Sequence, residues 1–239
     1  ADRYIKGNRL GKWRDTIVRM EGEAVHGLQN LFLTDWYFVD NKLITEPKYY
    51  PAPQHFGKNY TQIVHSGPDT DWESILQGLL SVVGNAKKNI YIHTPYFLPP
   101  ESLMIALQMA ALSGVDVRVI LPLKSDTLIA SAASSSYFLR IMEAGVRIFH
   151  YTDDFLHSKA ITIDDEVGIV GSANIDTRSF EHNYEVNAFI YDKPTAETLR
   201  RAFENDLLSC HEIDADTWSR RKIFTRLKES IARLFSPLL

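Results

Sequence analysis

The residues best suited to chemistry fall within one short stretch, HSKAITIDDEVGIVGSAN, running from His157 to Asn174. His157 and Lys159 stand two apart, four residues separate Lys159 from Asp164, and Gly171-Ser172-x-Asn174 closes the stretch. An imidazole that titrates near neutral pH, a compact ammonium, a hydroxyl and an amide suit a phosphoryl centre when they meet at one point. The lysine offsets negative charge, Ser172 and Asn174 donate to the phosphoryl oxygens, and His157 can attack phosphorus or carry a proton. Average composition puts His-x-Lys-x4-Asp at about one position in 10^4. A correctly spaced Gly-Ser-x-Asn beyond it marks a site rather than coincidence.

Two apolar bursts position these groups, Ala160, Ile161 and Ile163, then Val167, Ile169 and Val170, broken by Asp164-Asp165-Glu166. This pattern predicts a β-hairpin with Asp164 at its turn, where a structural or neighbouring-strand bond suits it better than chemistry. A period of two puts His157 and Lys159 on one face, and Ser172 and Asn174 are again two apart. Upstream, the pattern alternates: strand 62–64, helix 72–86, strand 89–93, helix 101–113, strand 116–121, helix 127–144, strand 146–151. That alternation predicts a layered α/β/α domain with a mixed central sheet, largely parallel at its centre and antiparallel near the motif. No glycine-rich nucleotide fingerprint interrupts it. Ligands of such sheets collect beyond the strand ends, which makes the turn Thr94-Pro95-Tyr96-Phe97 a candidate substrate lining through Thr94 and Tyr96.

The first residues read differently. Lys6, Arg9, Lys12, Arg14 and Arg19 form a basic segment, Asp15 to Met20 reads as a strand, and Glu23 to Trp36 as a helix bearing Val25, Leu28, Leu31, Phe32 and Trp36. The pairing recurs in strand 185–191 and helix 195–206. Aligned without gaps, Leu28 falls on Leu199, Phe32 on Phe203 and Asp35 on Asp206, the pattern of an internal duplication. Residues 1–40 are then the tail of a first half, 41–60 a Pro- and Tyr-rich linker, and 61–239 a complete second half.

A formal net charge of −4 over 239 residues argues against a general nucleic-acid binder. The single cysteine excludes an internal disulfide, and the remaining histidines are scattered singly, without metal-ligand spacing. No apolar run is long enough to span a bilayer. The run Thr217 to Leu239 predicts an amphipathic helix, with Ile223, Leu227, Ile231, Leu234 and Leu238 at helical spacing and Arg220, Arg221, Lys222, Arg226, Lys228 and Arg233 opposing Glu229. Such a helix can rest on an anionic membrane surface.

His157, Lys159, Asp164, Gly171, Ser172 and Asn174 together resemble the HKD signature of the phospholipase D superfamily. Ile175-Asp176-x-Arg178-Ser179-Phe180, Asn183-x-Glu185, Thr94-Pro95-Tyr96-Phe97, Ser66-Gly67-Pro68-Asp69, Trp13-Arg14-Asp15-Thr16 and the terminal Leu-Phe-Ser-Pro-Leu-Leu resemble its bacterial cardiolipin synthase branch, so the likeness spans nearly the whole chain. The family carries two HKD motifs per site, whereas this chain has one, and Ala1-Asp2-Arg3-Tyr4 resembles the residues that follow a motif. The expectation is a piece that begins just after a first motif. Membrane-spanning helices would lie further upstream, the whole protein would sit at the cytoplasmic face of the bacterial inner membrane, and the piece itself would be soluble.

The resemblance implies phosphatidyl transfer between two phosphatidylglycerol molecules through a phosphohistidine, without metal or cofactor. Catalytic roles fall to His157, Lys159 and Asp164, and phosphate contacts to Lys159, Ser172 and Asn174. The alternatives are a phospholipase D-type hydrolase, a nuclease assembled from two copies, or a piece inactive for want of the N-terminal half. A homodimer would bury the apolar face of helix 23–36. Two carboxylates can orient His157: Glu185 of its own half, or Asp15, which the crossed arrangement of two-motif relatives favours.

Overall fold

The computed structural model describes residues 11–52 and 54–236; Ala1–Tyr4, Lys6, Arg9, Pro53, Leu238 and Leu239 lie outside the described residues. In chain order the elements are β1 (Trp13–Arg14), α1 (Val25–Asp40), β2 (Tyr60–Ser66), α2 (Ser74–Asn85), β3 (Asn89–His93), β4 (Phe97–Leu98) and α3 (Glu101–Leu112). They continue with β5 (Asp116–Pro122), α4 (Leu128–Met142), β6 (Arg147–Tyr151), β7 (Phe155–Leu156), β8 (Ala160–Ile163), β9 (Val167–Gly171) and β10 (Ile175–Asp176). The last are α5 (Thr177–Glu181), β11 (Glu185–Tyr191), α6 (Lys193–Leu207), β12 (Cys210–Glu212), α7 (Ala215–Ser219) and α8 (Ile223–Arg233).

Eight strands form one mixed sheet in the order β12-β6-β5-β3-β8-β9-β11-β2. Alternate residues of each strand serve opposite faces. On one face Ile90, Ile92, Val117, Val119, Ile148, Ile161 and Ile169 pack beneath α2, α3 and α4, represented by Leu79, Met104, Leu107 and Phe138. On the other, Tyr91, Ile120, Phe149 and Tyr151 meet Phe203 of α6, whose ring stacks on Tyr91 with the centroids 4.8 Å apart. Each fully buried aliphatic or aromatic side chain contributes about 1.5–3 kcal/mol, so the two clusters hold the helices to the sheet from both sides. The α/β/α layering follows.

The sheet is less parallel than the alternation of elements predicted. Only β3, β5 and β6 run parallel, joined by the crossovers α3 and α4; β12-β6, β3-β8, β8-β9, β9-β11 and β11-β2 are antiparallel. A parallel neighbour needs a long crossover, and beyond β7 the chain turns back through a hairpin instead. In that hairpin Asp164 and Asp165 both adopt left-handed backbone, φ +57° and +60°, as Asp tolerates better than most residues.

Three further expectations need correction. Residues 15–20 are not a strand: the strand is Trp13–Arg14, paired among the described residues with Phe155–Leu156, after which side-chain contacts rather than a ladder hold the chain. The first helix runs Val25–Asp40 rather than 23–36; its apolar face is left open, with no buried residue, Phe32 and Trp36 exposed and Leu28 and Leu31 half-buried. The C-terminal helix is two helices, because Lys222 takes up extended backbone (φ −55°, ψ +138°) between α7 and α8. Among the described residues, no helix is long and apolar enough to cross a membrane.

Candidate active site

The segment 157–159 bridges β7 and β8, and 172–174 bridges β9 and β10, so the motif's polar groups stand at strand ends rather than within the ladder. The two sides are tied by Gly171 N–H donating to Lys159 O at 3.3 Å. Lys159 Nζ donates to the His157 carbonyl at 2.8 Å and lies 3.2 Å from each ring nitrogen of the same histidine. Burial is the main influence on this lysine and depresses its pKa to about 8, opposed by the negative charges of Asp15, Glu185, Asp176 and Asp126. Four carboxylates thus surround one half-buried ammonium. The imidazole itself is walled by Trp13 and Phe155, with ring centroids 4.5 and 5.8 Å away.

Asp15 Oδ2 lies 3.5 Å from His157 Nδ1. Burial pushes the Asp15 carboxyl up, but His157, the Thr16 amide and Lys159 more than offset it, and its pKa falls below the ordinary carboxylate value. The partners of β1 explain how a residue so remote in sequence arrives there. Trp13 and Arg14 pair with Phe155 and Leu156, His157 N–H donates to Arg14 O at 2.9 Å, and Thr16 Oγ1 meets Ser158 Oγ at 2.6 Å. Glu185 instead accepts from Asn183 Nδ2 at 3.1 Å.

Asp164 does not join the cluster. Its carboxylate accepts the backbone N–H groups of Lys87, Lys88 and Asn89 at 2.7, 2.7 and 3.0 Å, fastening the hairpin turn to the loop that enters β3. Ser172 is engaged with the backbone as well: its Oγ accepts from Val186 N–H at 2.9 Å. Asn174 Oδ1, by contrast, is buried and has no hydrogen-bond partner among the described residues. Buried amide oxygens are rarely left so, and this one lies at a cavity of about 190 Å³ lined also by Tyr96, Thr127, Ala130, Asp176, Arg178 and Asn183.

Thr94 and Tyr96 part company. Thr94 is buried, donates to Tyr96 O at 2.7 Å and accepts from Ile175 N–H at 3.2 Å, which welds β4 to β10. Tyr96 lines the cavity and donates its phenol to Asp126 Oδ1 at 2.5 Å; burial first, then Asp126, drives its pKa up. Asp176 caps α5 by accepting from Ser179 N–H at 2.6 Å, and burial raises its pKa. Sequence reasoning passed over Asp126, Thr16, Ser158 and the buried His93, whose Nε2 lies 3.1 Å from Asp206 Oδ2. Asp126 alone left a signal: it follows the end of a parallel strand, where ligand-facing groups of such sheets gather.

A family described as "Cardiolipin synthase, PLD-like domain" matches residues 79–207. The chain is 41% identical over 242 aligned residues to a cardiolipin synthase of Listeria welshimeri and 42% identical to cardiolipin synthase 2 of Staphylococcus epidermidis. Each alignment takes in 100% of this chain and 50% of the relative, so the chain spans about half the length of the curated relatives it matches. Among solved structures, the phospholipase D family member Nuc from Salmonella typhimurium superposes with a TM-score of 0.57 at 24% identity, covering 65% of this chain and 99% of that one. Phosphatidylserine synthase of Haemophilus influenzae gives 0.61 at 16% identity, covering 75% and 48%. These two likenesses concern the fold.

Proposed function

We propose that this chain, which belongs to the cardiolipin synthase family of phospholipase D-like proteins, supplies one half of a phosphatidyl-transfer site in which His157 moves the proton. Residues 1–40 are then the tail of a first half, 41–60 a linker and 61–239 the second half. The nucleophile is a histidine of the first half. It attacks the phosphorus of a phosphatidylglycerol, the bond from phosphorus to the glycerol oxygen breaks, and His157 gives that oxygen its proton. The hydroxyl of a second phosphatidylglycerol attacks the resulting phosphohistidine, His157 takes its proton, and cardiolipin and glycerol are the products. Lys159 and Asn174 face the non-bridging oxygens, where charge grows in the transition state.

The observation that carries this reading is the 3.5 Å approach of Asp15, from the stretch ahead of the linker, to the imidazole of the motif behind it. A carboxylate at Nδ1 fixes the tautomer that presents Nε2 to substrate and stabilises the imidazolium, and such contacts are often long before substrate binds. It favours the crossed arrangement over pairing within one half. Glu185, whose charge acts on Lys159, then awaits the other histidine.

The test is a product assay on phosphatidylglycerol vesicles, comparing this chain alone with a longer polypeptide that includes an upstream HKD motif. Cardiolipin is expected from the longer chain only, and His157→Ala should lower its rate by about 10^3-fold or more. Asp15→Asn should lower kcat more than tenfold while leaving the phosphohistidine level unchanged or raised. Vigorous turnover by monomers of this chain alone would overturn the half-site reading, and phosphatidic acid as the main product would make the protein a hydrolase.

A further inference from the structure

Helix α8 is inverted relative to a helix that packs by its apolar face. Its buried residues are Ala232, seated against Ala133 and Leu98, and Glu229, whose carboxylate is held by Arg221 at 2.6 and 3.0 Å. Its large apolar residues point away from the protein: Ile223 and Phe224 are 77% and 75% exposed, Leu227 55%, Ile231 50% and Leu234 76%. At about 100° per residue these side chains and Phe235 fall within an arc of roughly 120°, the width of a face that usually meets an apolar medium.

The charges flanking that arc indicate which medium. Lys228 borders it on one side, and Arg226 and Arg233 on the other, all exposed. Glu229 is the sole acid of the helix, and it is turned inward and neutralised. An outward face with a continuous apolar strip, basic borders and no acid is the pattern of a helix lying in the boundary between anionic headgroups and acyl chains. Its lysine and arginine stems can reach up to the phosphates. A protein partner would need a matching acidic rim around an apolar groove; an anionic bilayer offers both at every point.

The placement of the helix extends the pattern. α8 packs along α4, and Ala133, its contact, lies one turn beyond Ile129. Ile129 and Leu128 are 53% and 85% exposed at the start of α4, flanked by Thr127 and Ala130 of the cavity beside Asn174. Exposed apolar side chains therefore stand at two places, on α8 and at the start of the α4 helix it packs against, the latter at the rim of the site.

We propose that α8 is an interfacial anchor that seats this domain on an anionic lipid surface through Ile223, Phe224, Leu227, Ile231 and Leu234, with Leu128 and Ile129 entering the same boundary. The anchoring rests on the geometry of α8 and is independent of the catalytic reading; a catalytically silent domain would bind equally well.

Flotation of the 239-residue chain with vesicles tests it, one set of phosphatidylglycerol and phosphatidylethanolamine and one of phosphatidylcholine alone. Binding is expected to the anionic set, weakening as salt rises. The double substitution Phe224→Glu, Leu227→Glu should lower the partition coefficient tenfold or more, with an unchanged far-UV circular dichroism spectrum. Arg226→Glu, Lys228→Glu should remove the preference for anionic vesicles, whereas Phe38→Glu on the exposed face of α1 should change nothing. No flotation of the wild-type chain, flotation unaffected by either α8 double variant, or flotation abolished by Phe38→Glu would each overturn the proposal. So would a dimer in solution that Phe224→Glu, Leu227→Glu converts to monomer, since a second copy would then cover the face.

Discussion

Lys159 works under two opposed demands. Burial beside His157 depresses its pKa to about 8, which strengthens whatever charge it presents to a bound phosphate and also destabilises the fold. The sign is fixed by the direction of the shift. Between about 8 and its unfolded value near 10.4 the unfolded chain holds a proton that the folded one has lost, so stability rises with pH through that window, and below it the full penalty applies. Lys159→Met is expected to stabilise the domain at neutral pH by on the order of 2–3 kcal/mol in urea denaturation while abolishing phosphate affinity. In ¹³C-methylated protein the Lys159 resonance should titrate near pH 8, apart from the surface lysines, and move upward when orthovanadate is added, because a bound anion favours the ammonium. A titration coincident with the surface lysines would remove this account. The residue types and spacings of the motif were legible in sequence because hairpin geometry is local. Asp15 was legible only as one of two candidates, since nothing local says which carboxylate a tertiary contact will select.

At the scale of elements, two motif residues serve the hairpin more than the chemistry. A methyl group on Gly171 would sit 1.9 Å from Asn187 Oδ1 and 2.4 Å from the Val186 carbonyl, and Asn187 is itself buried and bonded to Ala173 N–H. Neither neighbour is the free end of a long side chain, so Gly171→Ala is expected to lower stability by about 2–4 kcal/mol, read from the urea midpoint. Asp164 holds three amides of the β3 entry, bonds that a charged acceptor strengthens. Asp164→Ala should lower stability by about 2–3 kcal/mol and Asp164→Asn by less, because the amide keeps an acceptor and also tolerates the left-handed backbone. An Asp164→Ala protein as stable as wild type would place the aspartate's value elsewhere. Strand 185–191 and strand 89–93 were read to the residue from their β-branched and aromatic runs, whereas the break at Lys222 was not, since Arg-Arg-Lys carries no glycine or proline to mark it. Which face of α8 turns inward was equally hidden: periodicity locates an apolar stripe and is silent on what covers it.

For the whole molecule, something must hold the 13–16 segment against β7 and α6, which lie far from it in sequence. A two-residue ladder is too short to do so alone. The remainder comes from a brace that no sequence pattern announces, because it joins three distant elements: Arg14 donates to Asp206 of α6 at 3.2 Å and pairs with it at 2.8 Å, and His93 at the end of β3 lies 3.1 Å from the same carboxylate. His93 is buried against Phe203, and burial depresses its pKa, so the folded ring stays neutral. Burial pushes Asp206 up, but His93 and Arg14 more than offset it and hold its pKa below the ordinary value. Both shifts act in the same direction on acidification. Below about 6.5 the unfolded chain takes up a proton at His93 that the folded one resists, and from about 3.9 downward the benefit of an ionised Asp206 is lost as its depressed folded pKa is crossed. The urea midpoint should therefore fall in two stages between pH 7 and pH 3. His93→Gln should abolish the upper stage. Asp206→Asn should flatten the lower one and lower stability at pH 7 by about 1–3 kcal/mol. The local consequence distinguishes a brace from a general loss of packing. If Asp206 holds Arg14, and Arg14 O in turn holds the His157 amide at 2.9 Å, then Asp206→Asn should accelerate hydrogen exchange at His157, beside the small β1-β7 sheet, far more than at Ile161 of β8 in the eight-stranded sheet. Equal acceleration at the two amides would mean that Asp206 merely stabilises the domain, and the approach of Asp15 to His157 would then need another cause.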